Sequence, residues 1–373
     1  MKKYLLLPLF LVAIVLTVVK CNSTDPEDKT EPETEAAPVT IFDKVLYYDG
    51  YAETVSEPVP EGTIRVSNSQ YAAKIPESFI KSINNKLEMK VVVKAACDNY
   101  DRIGNVFLSL INKGEDYDKS KIVGQIEIAR FITPFMDKNK TPDEVPYNFT
   151  IDNIARLLAD SDYNTKYDFW LELDIFGVPY AANQQISGCS GRNDVFYGSL
   201  TLTPGAKNSD KPSQYLLPVA DYIKLNNYNC TDEVGKTIMS FTNDIPTDLK
   251  NAKIYIITSN HGANSGGEEY NRRSHYVYFD NKLIDTYIPG GKSCEPYRQY
   301  NTQRNGIYGN SAMTDAEWAS FSNWCPGDAI PIRVYELGDL QKGSHTFRFE
   351  VPDAKFVGKQ GEIPLSAYIQ GEK

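Results

Sequence analysis

The strongest constraint on the fold is a recurring pattern of short runs rich in β-branched and aromatic residues, each bounded by turn-forming residues. Helical signal is thin: only residues 77–83 and 152–158 indicate short helices. Asp280 and Asn281 predict the turn of a hairpin. Many short strands at this spacing are typical of β-sandwiches and jelly rolls, so we predict an all-β chain. The runs predicted as strands cover residues 90–95, 103–111, 169–176, 199–203, 253–259, 276–279, 330–337 and 346–351.

The start of the chain is predicted to be an export and tethering segment. Two lysines precede a long apolar run, which is typical of a signal peptide over residues 1–20. Cys21 follows directly, as in a bacterial lipoprotein cleavage site, although Lys20 departs from the small residue usual there. An ordinary signal peptide with a leftover thiol, or an uncleaved anchor, is the alternative. Residues 21–38 are acidic and proline-rich, which predicts a flexible tether.

The folded part of the chain is predicted to contain two domains. Prolines, a glycine and charged residues cluster at 204–213, a composition typical of a linker. The boundary gives an N-terminal domain over residues 39–205 and a C-terminal domain over residues 213–373. We expect an exported, lipid-anchored monomer at the bacterial cell envelope, on either its periplasmic or its surface face.

Charge and composition limit the classes of function. The formal net charge is −10, which makes nucleic acid a poor partner. The chain has three histidines and no C-x-x-C pair, so we expect neither a zinc site nor a multi-histidine metal centre. The membrane is expected as a partner only through the lipid anchor.

Three loop segments combine charged, aromatic and cysteine residues. Residues 97–102 read CDNYDR, residues 266–275 read GGEEYNRRSH, and residues 323–327 read NWCPG. Taken singly, the first is typical of a turn, the second of a solvated loop and the third of a structural corner. Their order along the chain is more informative than any one of them.

Together these segments resemble the peptide-N-glycosidase F family. CDNYDRIGNV is similar to the family pattern C-D-x-W/Y-D-R-x-x-N-V, and EIARFITPF at 127–135 is similar to E-I-x-R-F-I-T-P-F/Y. GGEEYNRRSH resembles G-C-x-E-W-C-x-R-x-H, and WCPGDAIPIR resembles W-C-P-G-x-A-x-P-x-R. The resemblance spans residues 42–373. It implies two antiparallel eight-stranded jelly-roll domains packed side by side, with the site at their interface.

The resemblance also implies a function. Members of the family hydrolyse the amide between N-acetylglucosamine and asparagine, without metal or cofactor, on N-glycosylated proteins or glycopeptides. The primary catalytic acid falls on Asp101, and a second carboxylate falls on Glu269. A third lies on a late strand of the first domain, where Glu172 is the better match and Asp174 is a shifted alternative. Clustered carboxylates have split pKa values, which allows one to act as base and another as acid.

Four residues are assigned to substrate binding by the same resemblance. They are Arg102 beside the catalytic aspartate, Arg273 and Tyr270 of the second motif, and His261 near the family's G-W-G-H stretch. All four assignments follow from the alignment with the family patterns.

Cysteine usage is expected to follow the family in the second domain, where Cys294–Cys325 matches a family disulfide. The family partner of Cys97 has no counterpart here. Of Cys97, Cys189 and Cys230, two can pair, and Cys189–Cys230 is the provisional assignment.

Several family positions are changed. The two cysteines that stiffen the family's glutamate loop are Gly267 and Asn271 here, its tryptophan is Tyr270, and an arginine before W-C-P-G is Phe321. These departures predict altered glycan preference or lower activity. The alternative function is that of a non-catalytic glycan- or protein-binding surface lipoprotein of the same fold.

Overall fold

The computed structural model describes part of the chain. The predicted signal peptide, Cys21, Cys230 and nearly all of the predicted tether lie outside that part. No helix within it is long and apolar enough to cross a bilayer. The described residues are 37–205, 212–226, 238–263, 267–359 and 361–373.

Antiparallel strands dominate the described residues, as the sequence predicts. The strands of the first half are β1 (Val39–Tyr48), β2 (Thr63–Arg65), β3 (Gln70–Lys74), β4 (Leu87–Ala95), β5 (Ile103–Asn112), β6 (Ile122–Ile132), β7 (Glu144–Thr150), β8 (Tyr167–Ile175) and β9 (Asp194–Pro204). Those of the second half are β10 (Gln214–Leu225), β11 (Ile238–Ile245), β12 (Leu249–Thr258), β13 (His275–Phe279), β14 (Lys282–Tyr287), β15 (Arg333–Leu340), β16 (Gly343–Glu350) and β17 (Ile363–Glu372).

Helices are short and lie in the connections. They are α1 (Glu77–Ser82), α2 (Asp152–Leu158), α3 (Ser161–Lys166), α4 (Ala182–Gln185) and α5 (Asp315–Ala319), with 3-10 turns at Lys119–Lys121, Glu295–Tyr300 and Val357–Lys359. The two helices predicted from the sequence are α1 and α2. The predicted hairpin is β13–β14, and Asp280 and Asn281 have φ values of 47° and 63°, as its tight turn requires.

The strands form four sheets, two in each half of the chain. The first half has the orders β1-β9-β4-β7 and β2-β3-β8-β5-β6, and the second has β10-β17-β12-β15 and β11-β16-β13-β14. Each pair in them is antiparallel. The two-domain all-β fold is therefore confirmed. Among the described strands, the first sandwich has one more than the eight expected, because the three-residue β2 joins its edge.

Alternating side chains explain how each sandwich forms. Along β4 the odd positions from Leu87 to Ala95 are buried and the even positions are exposed or half-buried. Each half has its own apolar cluster between its two sheets, centred on residues such as Phe196 and Leu173 in the first and Phe349 and Ile256 in the second. Burial of apolar surface thus specifies each sandwich separately.

Strand β6 joins the two halves. Its backbone continues into an antiparallel bridge between Phe131 and Ala329. The N–H of Ile330 donates to the carbonyl of Arg130 at 2.8 Å, and the N–H of Ile132 donates to the carbonyl of Asp328 at 2.9 Å. The family-like run at 127–135 therefore forms part of the boundary between the sandwiches.

A buried ion pair lies on this strand. Arg130 and Glu127 are both fully buried, and the guanidinium donates to both carboxylate oxygens at 2.8 and 2.7 Å. The remaining Nη1 of Arg130 donates across the boundary to the Ser259 hydroxyl and the Pro364 carbonyl, each at 2.9 Å. Ser366, also from the second half, donates to Glu127. The two charges thus pair within β6, and the second half completes most of their remaining donors and acceptors.

We predict that Arg130→Met strongly destabilises the protein. Glu127 would remain buried without its cation, which typically costs about 3–5 kcal/mol. Urea unfolding of the folded unit measures the loss. The double variant Glu127→Gln/Arg130→Met serves as the control, because it removes both charges and should recover most of the stability. A single variant within about 1 kcal/mol of wild type would show that the pair is dispensable.

Two disulfides are present in the described chain. Cys294–Cys325 is confirmed, with a Cα–Cα distance of 5.4 Å. The provisional pair Cys189–Cys230 is wrong, because Cys189 bonds Cys97 instead, at a Cα–Cα distance of 5.5 Å. The pairing of β9 with β4 explains this outcome, because it brings together Cys97, which follows β4, and Cys189, which precedes β9. The N–H of Cys97 also donates to the carbonyl of Asp194.

Candidate active site

Asp101 lies on the loop between β4 and β5, and this loop is braced at several points. The Cys97–Cys189 disulfide holds its start. The carboxylate of Asp98 is buried, and it accepts from the N–H groups of Tyr100 at 2.9 Å and Val178 at 2.7 Å. Such carboxylate-to-backbone bonds fix loop geometry. Asp101 is therefore presented from a loop with a defined shape.

The Glu269 loop is braced by Asn323 of the NWCPG segment. The side-chain amide of Asn323 donates to the carbonyls of Glu268 and Glu269 at 2.7 Å each and to that of Asn271 at 3.1 Å. Its backbone N–H also donates to the Glu269 carbonyl, at 3.1 Å. These bonds hold the loop in which the family disulfide is missing. Sequence reasoning treated Asn323 as part of a structural corner and missed this role.

Asp101 and Glu269 are brought together from opposite halves of the chain. Burial raises the pKa of Asp101 well above its usual range, and the negative charge of Glu269 raises it further, against the opposing effect of Arg102. Burial raises the pKa of Glu269 to about 7, although a hydrogen bond with the Tyr270 hydroxyl and another from the Gly262 N–H both lower it. Neighbouring carboxyl groups of this kind favour a state in which one of them keeps its proton.

The two arginines assigned to substrate binding each form an ion pair within their own loop. Arg102 donates from Nε to Asp98 at 2.7 Å and from Nη2 at 3.3 Å. Arg273 makes the equivalent fork to Glu268, at 3.0 and 3.2 Å. The positive charge of Arg102 also favours the ionised form of Asp101, because it lowers the pKa of that carboxyl. Both guanidiniums therefore position the loops that carry Asp101 and Glu269.

Tyr270 follows Glu269 in its loop, and His261 precedes Gly262, whose N–H donates to the Glu269 carboxylate. Tyr270 is 39% exposed, and its ring meets the edge of Phe321 at 5.9 Å between centroids. His261 contacts the Trp324 ring at 5.6 Å and shares a 2.7 Å hydrogen bond with the Ser259 hydroxyl. Burial lowers the pKa of His261 to about 3, so it is neutral at physiological pH. It can donate or accept a hydrogen bond there without adding charge.

The third predicted carboxylate is placed differently from the pair. Glu172 is fully buried and accepts from Gln70 at 2.9 Å, Ser109 at 2.6 Å and Gln125 at 2.9 Å. Asp174 follows two positions later on the same face of β8, and it lines a cavity of about 700 Å³ between the halves. Asp174 therefore faces the cavity, whereas Glu172 is buried behind residues that line it.

Metal ligands are not grouped in the part of the chain that the structure describes. No three His, Cys, Asp or Glu side chains there are arranged to hold an ion. The arrangement that does exist is a pair of acidic groups with neutral hydrogen-bond partners, which suits proton transfer.

Fold and site together define a class: a two-domain antiparallel β-sandwich protein with a coupled carboxylate pair drawn from its two halves. The chain belongs to the peptide-N-glycosidase F family. The model of the family's N-terminal region matches residues 38–190, and that of its C-terminal region matches residues 227–370.

Individual relatives agree with this assignment. The chain is 26% identical over 355 residues to the peptide-N(4)-(N-acetyl-beta-D-glucosaminyl)asparagine amidase F of Elizabethkingia miricola, covering 89% of this chain and 85% of that protein. A structure of PNGF-II superposes with a TM-score of 0.64 at 18% identity, over 91% of this chain and 65% of that one. PNGase F of Flavobacterium meningosepticum superposes with a TM-score of 0.54 at 16% identity, over 90% and 96%. The two structural comparisons show a shared fold, and the chain spans about 65% of the PNGF-II length.

We predict that Asp101→Asn stabilises the protein at alkaline pH. The raised pKa of Asp101 means that its stabilising contribution is complete below its unfolded pKa of about 4 and is lost as pH rises through the folded pKa. An asparagine side chain does not ionise, so it loses no stability as pH rises. The variant should therefore melt at a higher temperature than wild type at about pH 8. The difference should shrink as pH falls towards about 4.

Scanning calorimetry across this pH range measures the effect. Asp116→Asn is the matched control, because Asp116 is exposed and removing its charge should give no comparable pH-dependent difference. An Asp101→Asn protein that melts at or below the wild-type temperature at about pH 8 would contradict a strained carboxylate pair.

Proposed function

We propose that this protein hydrolyses the amide that joins N-acetylglucosamine to asparagine, releasing the glycan and converting the asparagine to aspartate. The observation that carries the proposal is that Asp101 and Glu269, from different halves, lie close enough for the charge of Glu269 to raise the pKa of Asp101. Nothing in a pair of surface loops would require a half-buried and a buried carboxylate to lie so close together. Membership of the peptide-N-glycosidase F family supports the same reaction class.

Hydrolysis of an amide needs an activated water and a proton for the departing nitrogen, and the carboxylate pair can supply both. The family pattern makes Asp101 the base, which removes a proton from water as the water oxygen attacks the side-chain carbonyl. The charge of Arg102 favours this role, because it lowers the pKa of Asp101 against the effects of burial and Glu269. The protonated member, Glu269, gives its proton to the departing nitrogen, so the C–N bond breaks and a glycosylamine leaves. The carbonyl carbon becomes the carboxylate of aspartate. The Tyr270 hydroxyl and the Gly262 N–H orient Glu269 for this transfer.

A second candidate is a glycan-binding protein without turnover. Phe321 occupies the place of a family arginine, and it packs against Trp318 at 5.0 Å and Tyr270 at 5.9 Å. This aromatic cluster offers stacking to a sugar face but no charge to a developing oxyanion. Both candidates predict glycopeptide binding, and they differ in whether product forms.

Incubation with an N-glycopeptide decides between them. We predict that the wild-type chain produces the free glycan and a peptide in which mass spectrometry detects aspartate in place of the glycosylated asparagine. Asp101→Asn should reduce the rate by about 10²–10⁴-fold while the fold is retained, and Glu269→Gln should also reduce it. Asp116→Asn should leave the rate unchanged. Full activity in the Asp101→Asn protein would refute the assignment, and binding without product would favour the second candidate.

A further inference from the structure

The His261 side chain is held in one orientation by contacts on three sides. Its backbone exchanges two hydrogen bonds with Glu362, one from its N–H at 2.9 Å and one to its carbonyl at 3.0 Å. Its ring lies 5.6 Å from that of Trp324 between centroids. The hydroxyl of Ser259, two positions earlier in the chain, lies 2.7 Å from Nε2. The protein itself therefore sets the direction in which the second ring nitrogen points.

The hydrogen bonds of Ser259 determine which nitrogen of His261 carries the proton. A guanidinium can only donate, and Nη1 of Arg130 donates to the Ser259 hydroxyl oxygen at 2.9 Å. If Nε2 of His261 also donated to that oxygen, the hydroxyl proton of the buried Ser259 would have no acceptor. The arrangement that satisfies every group has the hydroxyl donate to Nε2. The ring proton of His261 therefore lies on Nδ1.

The His261 ring is also uncharged at neutral pH. Burial, followed by the charges of Arg130 and Lys224, lowers its pKa to about 3. His261 is half-buried, and its Nδ1 makes no hydrogen bond within the described chain. The side chain thus offers a neutral N–H donor in a fixed direction. Such a donor can polarise a carbonyl oxygen while keeping its own proton.

This donor lies close to the carboxylate pair along the chain. His261 precedes Gly262, whose N–H donates to the Glu269 carboxylate. In the proposed reaction Glu269 protonates the departing nitrogen, and the amide oxygen is bonded to the same carbon as that nitrogen. A donor beside the Glu269 contact is therefore suited to the oxygen that gains negative charge. Phe321, in the place of a family arginine, offers no donor for that oxygen.

We propose that His261 donates a hydrogen bond from Nδ1 to the carbonyl oxygen of the glycosylated asparagine, and that Ser259 positions it by accepting from Arg130 and donating to Nε2. As water attacks, the electron pair of the C=O bond moves onto this oxygen, and the N–H stabilises the charge without giving up its proton. The pair returns to the C=O bond as the C–N bond breaks and Glu269 protonates the nitrogen. The inference rests on the proposed function for the identity of this carbonyl.

Long-range proton–nitrogen NMR measures the tautomer directly. The chain has three histidines, and the signal of His261 is the one that disappears in the His261→Phe protein. We expect the wild type at neutral pH to show a protonated Nδ1 and an unprotonated Nε2. Ser259→Ala should show Nε2 protonated in a large share of the molecules, because the donor that occupied this nitrogen is gone. A wild-type His261 protonated on Nε2 would overturn the proposal.

Binding without turnover tests the contact with the substrate. An N-glycopeptide added to the Asp101→Asn protein should move the Nδ1–H proton signal of His261 downfield, because a carbonyl acceptor takes the place of water. The signal of His345, which is bonded to Asp280 at the β13–β14 turn, should stay in place. An unmoved His261 signal, with or without binding of the glycopeptide, would contradict the proposed contact.

Kinetics separate positioning by Ser259 from support of the boundary between the halves. Ser259→Ala should lower kcat about tenfold with little change in KM, because only part of the population keeps the proton on Nδ1. Ser259→Thr keeps the hydroxyl and should restore the rate. Ser366→Ala is the matched control, because Ser366 donates to Glu127 of the same ion-pair network and does not contact His261, so kcat should stay unchanged. Equal losses of kcat in the two alanine variants would refute the positioning role.

The outcome is separable from that of the proposed function. A His261 signal that moves on glycopeptide binding, in a protein that releases no glycan, would refute the amidase and support the contact. Glycan release by a protein whose His261 carries its proton on Nε2, or whose kcat is unaffected by Ser259→Ala, would do the reverse.

Discussion

The Glu127–Arg130 ion pair is the interaction on which the rest of the structure depends. A buried charge pair is costly to desolvate and is tolerated only where its remaining donors and acceptors are filled. Here Ser259, Pro364 and Ser366 of the second half fill most of them. Asn105 of the first half also donates to Glu127. The pair therefore ties correct docking of the two sandwiches to the removal of a large electrostatic penalty, which makes the docking geometry specific as well as stable.

That specificity matters because the candidate site exists only across the boundary. Asp101 and Glu269 lie on loops of separate sandwiches. The pKa values of both carboxyl groups are raised because the two groups lie together where water has little access. Each loop is stiffened within its own half, by Asp98–Arg102 on one side and Glu268–Arg273 on the other. The rigid loops thus hold the Asp101 and Glu269 carboxyl groups close together, although no attraction between these groups does so.

Sequence patterns predicted the strands and the two loop motifs because both signals are local. Alternating burial along β4 is visible in its own residues. Asp101 and Glu269 are grouped by the resemblance of the motifs, in their order, to those of one family. The choice between Glu172 and Asp174 is different in kind, because both lie on one face of β8. Side chains from neighbouring strands of the first half cover Glu172, whereas Asp174 lines the open cavity. Cys97–Cys189 and the Asn323 network likewise depend on which strands and loops become neighbours, and no pattern within a single segment records that.

The two walls of the site are fastened by different chemistry. The Asp101 loop is anchored by a covalent sulfur–sulfur link, whereas the Glu269 loop, where the family has cysteines, is held by the amide of Asn323. A thiol reductant breaks the anchor of the Asp101 loop directly. It reaches the Glu269 loop at one remove, because Asn323 lies two residues before Cys325 of the Cys294–Cys325 disulfide. The wall that carries Asp101 therefore depends directly on an oxidising compartment for its shape, and the other wall depends on it only through the segment that carries Asn323.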